Sequence, residues 1–167
     1  MFNTVNGIPG HVLLVHAVVI LVPLAGALAI LATVWPAARR RLGIITPLAA
    51  LLALLFVPLA SGAGEWLQEH VPETPLVAKH AEMGGGLTAW AALLFLLSAL
   101  AWLLPELTAR GRALPSILTA RWVQPALGSA VCLIAVVAVI QTVRIGDSGA
   151  KAAWDGKVSS SVIGGGG

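Results

Sequence analysis

Charge is scarce in this chain. Only 10% of its 167 residues are Asp, Glu, Lys or Arg, where a soluble globular domain carries about 25%. Hydrophobic residues reach 58% and the mean hydropathy is +0.93. The deficit excludes an ordinary soluble domain, and the apolar surplus excludes a disordered chain. Cysteine is nearly absent, with Cys132 alone. One thiol makes no internal disulfide, no c-type haem attachment site and no iron–sulfur cluster within the chain. Catalytic signatures are missing as well. There is no Gly-x-Ser-x-Gly, no Walker loop, no His-Glu-x-x-His and no dinucleotide glycine pattern. No acid or base lies deep in an apolar run, which argues against a transporter or channel.

What is present is apolar sequence in membrane-length pieces. A bilayer core about 30 Å thick takes roughly 20 apolar residues per helix. Four runs approach that length, at 12–35, 44–60, 87–104 and 123–143. The expected fold class is therefore all-α: an integral membrane four-helix bundle over 1–155, built as two helical hairpins, followed by a disordered tail at 156–167. The net charge is +3 and the pI near 9.8. The basic residues fall between the apolar runs, where they set topology, and no nucleic-acid partner is indicated. The partner expected from composition is the lipid bilayer.

The segments 36–43 and 105–121 hold six of the ten basic residues: Arg39, Arg40, Arg41, Arg110, Arg112 and Arg121. Residues 1–11 contain no Lys or Arg. The positive-inside rule then puts both arginine segments in the cytoplasm, both termini outside, and 61–86 in an outer loop. The first run lacks a basic leader, is too long for a signal-peptide core and ends on an arginine cluster, so it reads as a retained helix. Trp35, Trp102 and Trp122 mark the inner boundary, and Trp66 and Trp154 the outer one.

All four histidines and six of the seven acids lie on the outer side of this map. His16 sits about one turn inside the first run. An ionisable group there is costly and is a functional candidate by default; the plain alternative is a neutral ring bonded to a nearby backbone carbonyl. His80 precedes the third run as His16 opens the first. If the hairpins are pseudo-symmetric, His16 and His80 approach from opposite sides of the bundle, as two axial ligands of one haem iron would. Imidazole also suits zinc, copper and non-haem iron, in sites of three or four ligands that Glu65 or Glu82 would have to join. His11 and His16, five residues apart, point about 140° apart on a helix and are poor joint ligands; His11 either binds separately, hydrogen-bonds a cofactor edge or is an exposed histidine at the start of the helix. His70 reads as exposed. Gly62, Gly64 and Gly84 to Gly86 let a flat ring, or another helix, approach backbone. Arg144, with Lys79 and Lys151, is placed to pair haem propionates. Asp147 is placed to pair with Arg144 or to hold a ligand histidine in one tautomer.

The opening Gly7-Ile-Pro-Gly-His11-Val-Leu-Leu-Val-His16 resembles the "HPLLVH" start of a bacterial membrane family catalogued as domain of unknown function 2231. The histidine at position 80 and the ending Arg144-Ile-Gly-Asp-Ser-Gly-Ala-Lys-Ala-Ala-Trp154 are similar too. The resemblance covers residues 1 to about 155. It implies four spans with a histidine-rich outer side in the bacterial inner membrane. Some relatives are fused to c-type cytochrome or Rieske modules, which implies electron transfer. It carries over His11, His16 and His80. The chain departs from the pattern at Val12, where a proline is usual, and at Asp147, where relatives often have histidine. The second departure favours His16 and His80 as the ligand pair, with Asp147 supporting.

Three functions are expected to compete. The first is a haem b protein passing electrons near the outer membrane face, alone or with respiratory-complex subunits, a c-type cytochrome or a Rieske protein. The second is a non-haem zinc, copper or iron site. The third is a cofactor-free structural subunit of a membrane complex. No catalysis by the chain alone is expected.

Overall fold

The computed structural model describes residues 4–5 and 7–155, so the tail expected at 156–167 lies outside the described residues. A short antiparallel hairpin comes first, β1 (Thr4–Val5) on β2 (Ile8–Pro9), with Gly7 at φ +80° in its turn. That left-handed conformation is one glycine adopts without steric cost. The helices are α1 (Gly10–Val34), α2 (Pro36–Leu42), α3 (Ile45–Gln68), α4 (Pro75–Ala109), α5 (Ser116–Thr119) and α6 (Val123–Trp154). Among the described residues α1, α3, α4 and α6 are long and apolar enough to cross a bilayer, with 25, 24, 35 and 32 residues. The protein is an all-α, multi-pass membrane bundle.

The bundle follows from a seven-residue stripe of small residues. Along this seam the buried positions are Val18, Val22, Ala25 and Ala29 in α1, and Thr46, Ala50, Ala53, Val57 and Ala60 in α3. In α4 they are Leu87, Ala91, Leu94 and Ser98, and in α6 Val131, Ala135, Ala138 and Thr142. Alternating steps of four and three keep one seam of each helix facing its neighbours. Leucine and isoleucine face outward instead: Ile20, Leu24, Leu48, Leu55, Leu96, Leu133 and Ile140 are all exposed. A bundle in water would collapse the other way. In lipid nothing drives the large side chains inward, and small seam residues let backbones pack closely.

Each of α1 and α4 packs against both α3 and α6, so α1 and α4 stand on one diagonal of the bundle. The two hairpins share one register. A shift of 69 residues (His80 minus His11) carries Val18, Val22, Ala25 and Ala29 onto Leu87, Ala91, Leu94 and Ser98. A shift of 85 (Gly149 minus Gly64) carries Thr46, Ala50, Ala53 and Val57 onto Val131, Ala135, Ala138 and Thr142. Two ends result. The arginine end holds α2, α5 and the turns around them; the histidine end holds the β hairpin, the connection at 69–74 and the end of α6.

The helices run past the ends that hydropathy predicts. The outer loop expected at 61–86 is mostly helix: α3 runs on to Gln68 and α4 begins at Pro75. Thr74 caps that start, its Oγ1 accepting from the Val77 amide at 3.2 Å, with Pro75 in the first turn. Likewise α4 continues through Pro105, and α6 continues past Arg144 to Trp154. Polar residues end the apolar run, but they do not end backbone hydrogen bonding.

Candidate functional site at the histidine end

Counting back seven residues from Val18 and from Leu87 reaches His11 and His80. Both therefore lie on the inward seam, in the first turn of α1 and the second turn of α4. They come from diagonal helices and meet across the bundle. Their ring centroids are 6.0 Å apart and the planes cross at 78°. Both residues are half-buried.

Each ring is fixed by the helix beside it. His11 Nδ1 lies 2.8 Å from the Ala60 carbonyl oxygen of α3. A carbonyl only accepts, so Nδ1–H is the donor. His80 Nδ1 lies 3.0 Å from Ser148 Oγ of α6. Ser148 uses its one hydroxyl proton on the Ile145 carbonyl, at 2.8 Å. Its oxygen must therefore accept from His80 Nδ1–H. In the neutral state both imidazoles then carry their proton on Nδ1 and leave Nε2 as a free lone pair. Fixing the tautomer through the far nitrogen is the usual support of a metal-binding histidine.

Glycine makes both approaches possible. A Cβ on Gly64 would stand 2.9 Å from Cε1 and Nδ1 of His11. A Cβ on Gly149 would stand 2.8 Å from Cε1 of His80. The two glycines correspond under the 85-residue shift, as Ala60 and Ile145 do. The flat ring expected to need glycine is here the imidazole itself. Gly84, one turn beyond His80, borders open space.

The other expected site residues are elsewhere. His16 is exposed on α1, and its Nδ1 bonds back to the Val12 carbonyl one turn earlier. It stands five residues from His11 and so leaves the seam, in a stripe with exposed Val12, Val19 and Ile20. His80 thus meets His11, not the expected His16. Asp147 is exposed and pairs with Lys151 at 2.7 Å, so it supports neither Arg144 nor a histidine. The supporting role falls to its neighbour Ser148. Arg144 is exposed on α6, one helical turn before Ser148. His70 is exposed, bonded to the Trp66 carbonyl at 2.7 Å and stacked on the Trp66 indole at 4.1 Å.

Sequence reasoning overlooked Ser148, Gly149 and the Ala60 carbonyl. The seven-residue register, extended one repeat outward from the apolar seam, would have reached His11, Gly64, His80 and Gly149 together. Among the described residues no group of three or more His, Cys, Asp or Glu is arranged to hold a metal ion. Comparison with protein-family models, with curated proteins and with solved structures finds no match.

Proposed function

We propose that the protein is a membrane haem b protein whose iron is held by His11 and His80, and that it passes electrons at the histidine end of the bundle. One observation carries the reading: two tautomer-fixed imidazoles from diagonal helices, 6.0 Å apart by centroid. Metal–nitrogen bonds of about 2.0–2.1 Å on either side of one ion put coordinated imidazole centroids roughly 6 Å apart. A bare zinc or copper ion would need further ligands close by. A haem brings four nitrogens of its own and asks the protein for two, the number this pair supplies. The haem would contribute reversible one-electron chemistry; His11 and His80 would orient it, and Ala60 and Ser148 would keep their Nε2 atoms unprotonated.

The six arginines at the other end support an orientation with the histidine end and both termini outside the cytoplasm. In this reading the chain lies in a bacterial inner membrane and serves respiratory-complex subunits, a c-type cytochrome or a Rieske protein. Arg144 and Lys79 stand at the same end and are the cations available to propionates. A second reading is favoured by the same hydrogen bonds: His11 and His80 act as clasps that lock α1 to α3 and α4 to α6 in a cofactor-free structural subunit.

The visible spectrum separates the two. Protein purified in mild detergent, after expression with a haem precursor, is recorded oxidised and dithionite-reduced. A sharp Soret band with resolved reduced α and β bands is expected, at one haem per chain. A featureless spectrum from folded protein removes the haem reading and leaves the clasp.

A further inference from the structure

At the arginine end the four long helices frame a partly open cavity of about 70 Å³, lined by residues of α1, α2, α3, α4 and α6, with exposed Arg39 at its mouth. Two buried hydroxyls line it, Thr46 at 6% and Ser98 at 3% exposure. Among the described residues neither oxygen has a hydrogen-bond partner. Thr33, Thr108 and Thr142 each donate to the carbonyl four residues earlier, which Ser98 does not. A buried unpaired hydroxyl costs about 1–3 kcal/mol, so two sharing one cavity call for a common partner.

The remaining lining defines that partner. The Arg39 guanidinium reaches the cavity wall and donates to the Ala101 carbonyl and to Gln124 Oε1, both at 3.1 Å. Each of these oxygens keeps a second lone pair, and the Gln124 amide protons are available to donate. The Thr46 and Ser98 protons and the remaining guanidinium protons are donors too. No acid lines the cavity, and among the described residues the ion pairs are Arg110–Glu106 and Lys151–Asp147, which leaves Arg39 without a carboxylate. The site offers several donors, carries one positive charge and has room for a small ion together with several waters.

We infer that this cavity binds a small monovalent inorganic anion of halide size, held by Arg39, Thr46, Ser98 and Gln124. The inference is independent of the haem reading, which concerns the opposite end. The ion neutralises Arg39 and ties α3, α4 and α6 together where they leave the membrane.

The test uses the full chain in detergent, heated in sodium chloride and in sodium gluconate at equal ionic strength. A higher, saturable melting temperature in chloride is expected, with bromide acting alike. The double variant Thr46→Val/Ser98→Ala is expected to melt in gluconate at or above the wild type, because two unpaired hydroxyls are gone. Its chloride affinity is expected to fall at least tenfold, the factor that one hydrogen bond to an ion supplies at about 1.5 kcal/mol. Arg39→Gln is expected to abolish the response; should it fail to fold, the hydroxyl variant decides alone. Equal melting in both salts, meaning a cavity that holds only water, overturns the inference. So does a double variant that keeps the wild-type chloride response.

Discussion

Adding one methyl group at Gly64 or Gly149 separates a positioned histidine from a merely structural one. The Cβ of Gly64→Ala would stand 2.9 Å from the His11 ring, and that of Gly149→Ala 2.8 Å from the His80 ring. Carbon contacts settle at about 3.5–4.0 Å, so each imidazole must retreat by roughly 0.6 Å or more. A helical Cβ leans toward the preceding turn. At Gly64 that turn holds Ala60, the His11 acceptor. Retreat therefore stretches the 2.8 Å bond to about 3.4 Å, past the useful N–H···O range of roughly 2.7–3.2 Å. The lost bond costs about 1 kcal/mol. Replacing a mid-helix glycine by alanine returns about 0.8–1.0 kcal/mol. Stability should thus change by less than about 1 kcal/mol, while losing the support of a ligating histidine weakens the metal or haem roughly 10- to 100-fold. Haem titration into the apoprotein, read beside the melting temperature, measures both. An alanine variant with wild-type haem affinity refutes the positioning argument. A variant that loses several kcal/mol of stability without losing affinity refutes it too, because the histidines would then be clasps.

His16→Ala should leave the haem spectrum and affinity unchanged, since its ring is exposed and bonded within its own helix; a spectral change at this position would restore His16 as a ligand. Asp147→Asn should alter neither haem affinity nor stability by more than about 0.5 kcal/mol, because the Lys151 pair is exposed on both sides, at 65% and 61%; denaturant melts and haem titration check this. Ser148→Ala removes the acceptor that fixes His80, and about tenfold weaker haem binding is expected at similar stability. A topology reporter fused after Trp154 should be active outside the cytoplasm, and cytoplasmic activity would invert the proposed orientation.

Fold class was legible because lipid-length apolar runs have few other uses, and the four runs found by composition are the cores of α1, α3, α4 and α6. Helix ends were not legible from hydropathy, since α4 extends twelve residues before the run that starts at Leu87, capped by Thr74 and Pro75. Those two residues were readable capping signals that hydropathy alone passes over. The site was half legible. His80 was among the candidates and an approach from opposite sides of the bundle was expected, but with His16 as its partner, where the structure brings His11. His16 drew attention because an imidazole among leucines is costly, yet a bond to Val12 settles it locally. His11 looked like an exposed start of chain because its environment is made by Gly64 and Ala60, about fifty positions away. Only the seam register links such distant residues, and it is visible only when the small residues, not the large ones, are taken as the buried face.

The most direct test of the central claim is the low-spin spectrum of His11→Ala and His80→Ala, each with and without added imidazole. Each variant is expected to lose haem or turn it five-coordinate, with imidazole in the buffer restoring the six-coordinate spectrum. Variants that both retain the wild-type spectrum without imidazole would contradict it.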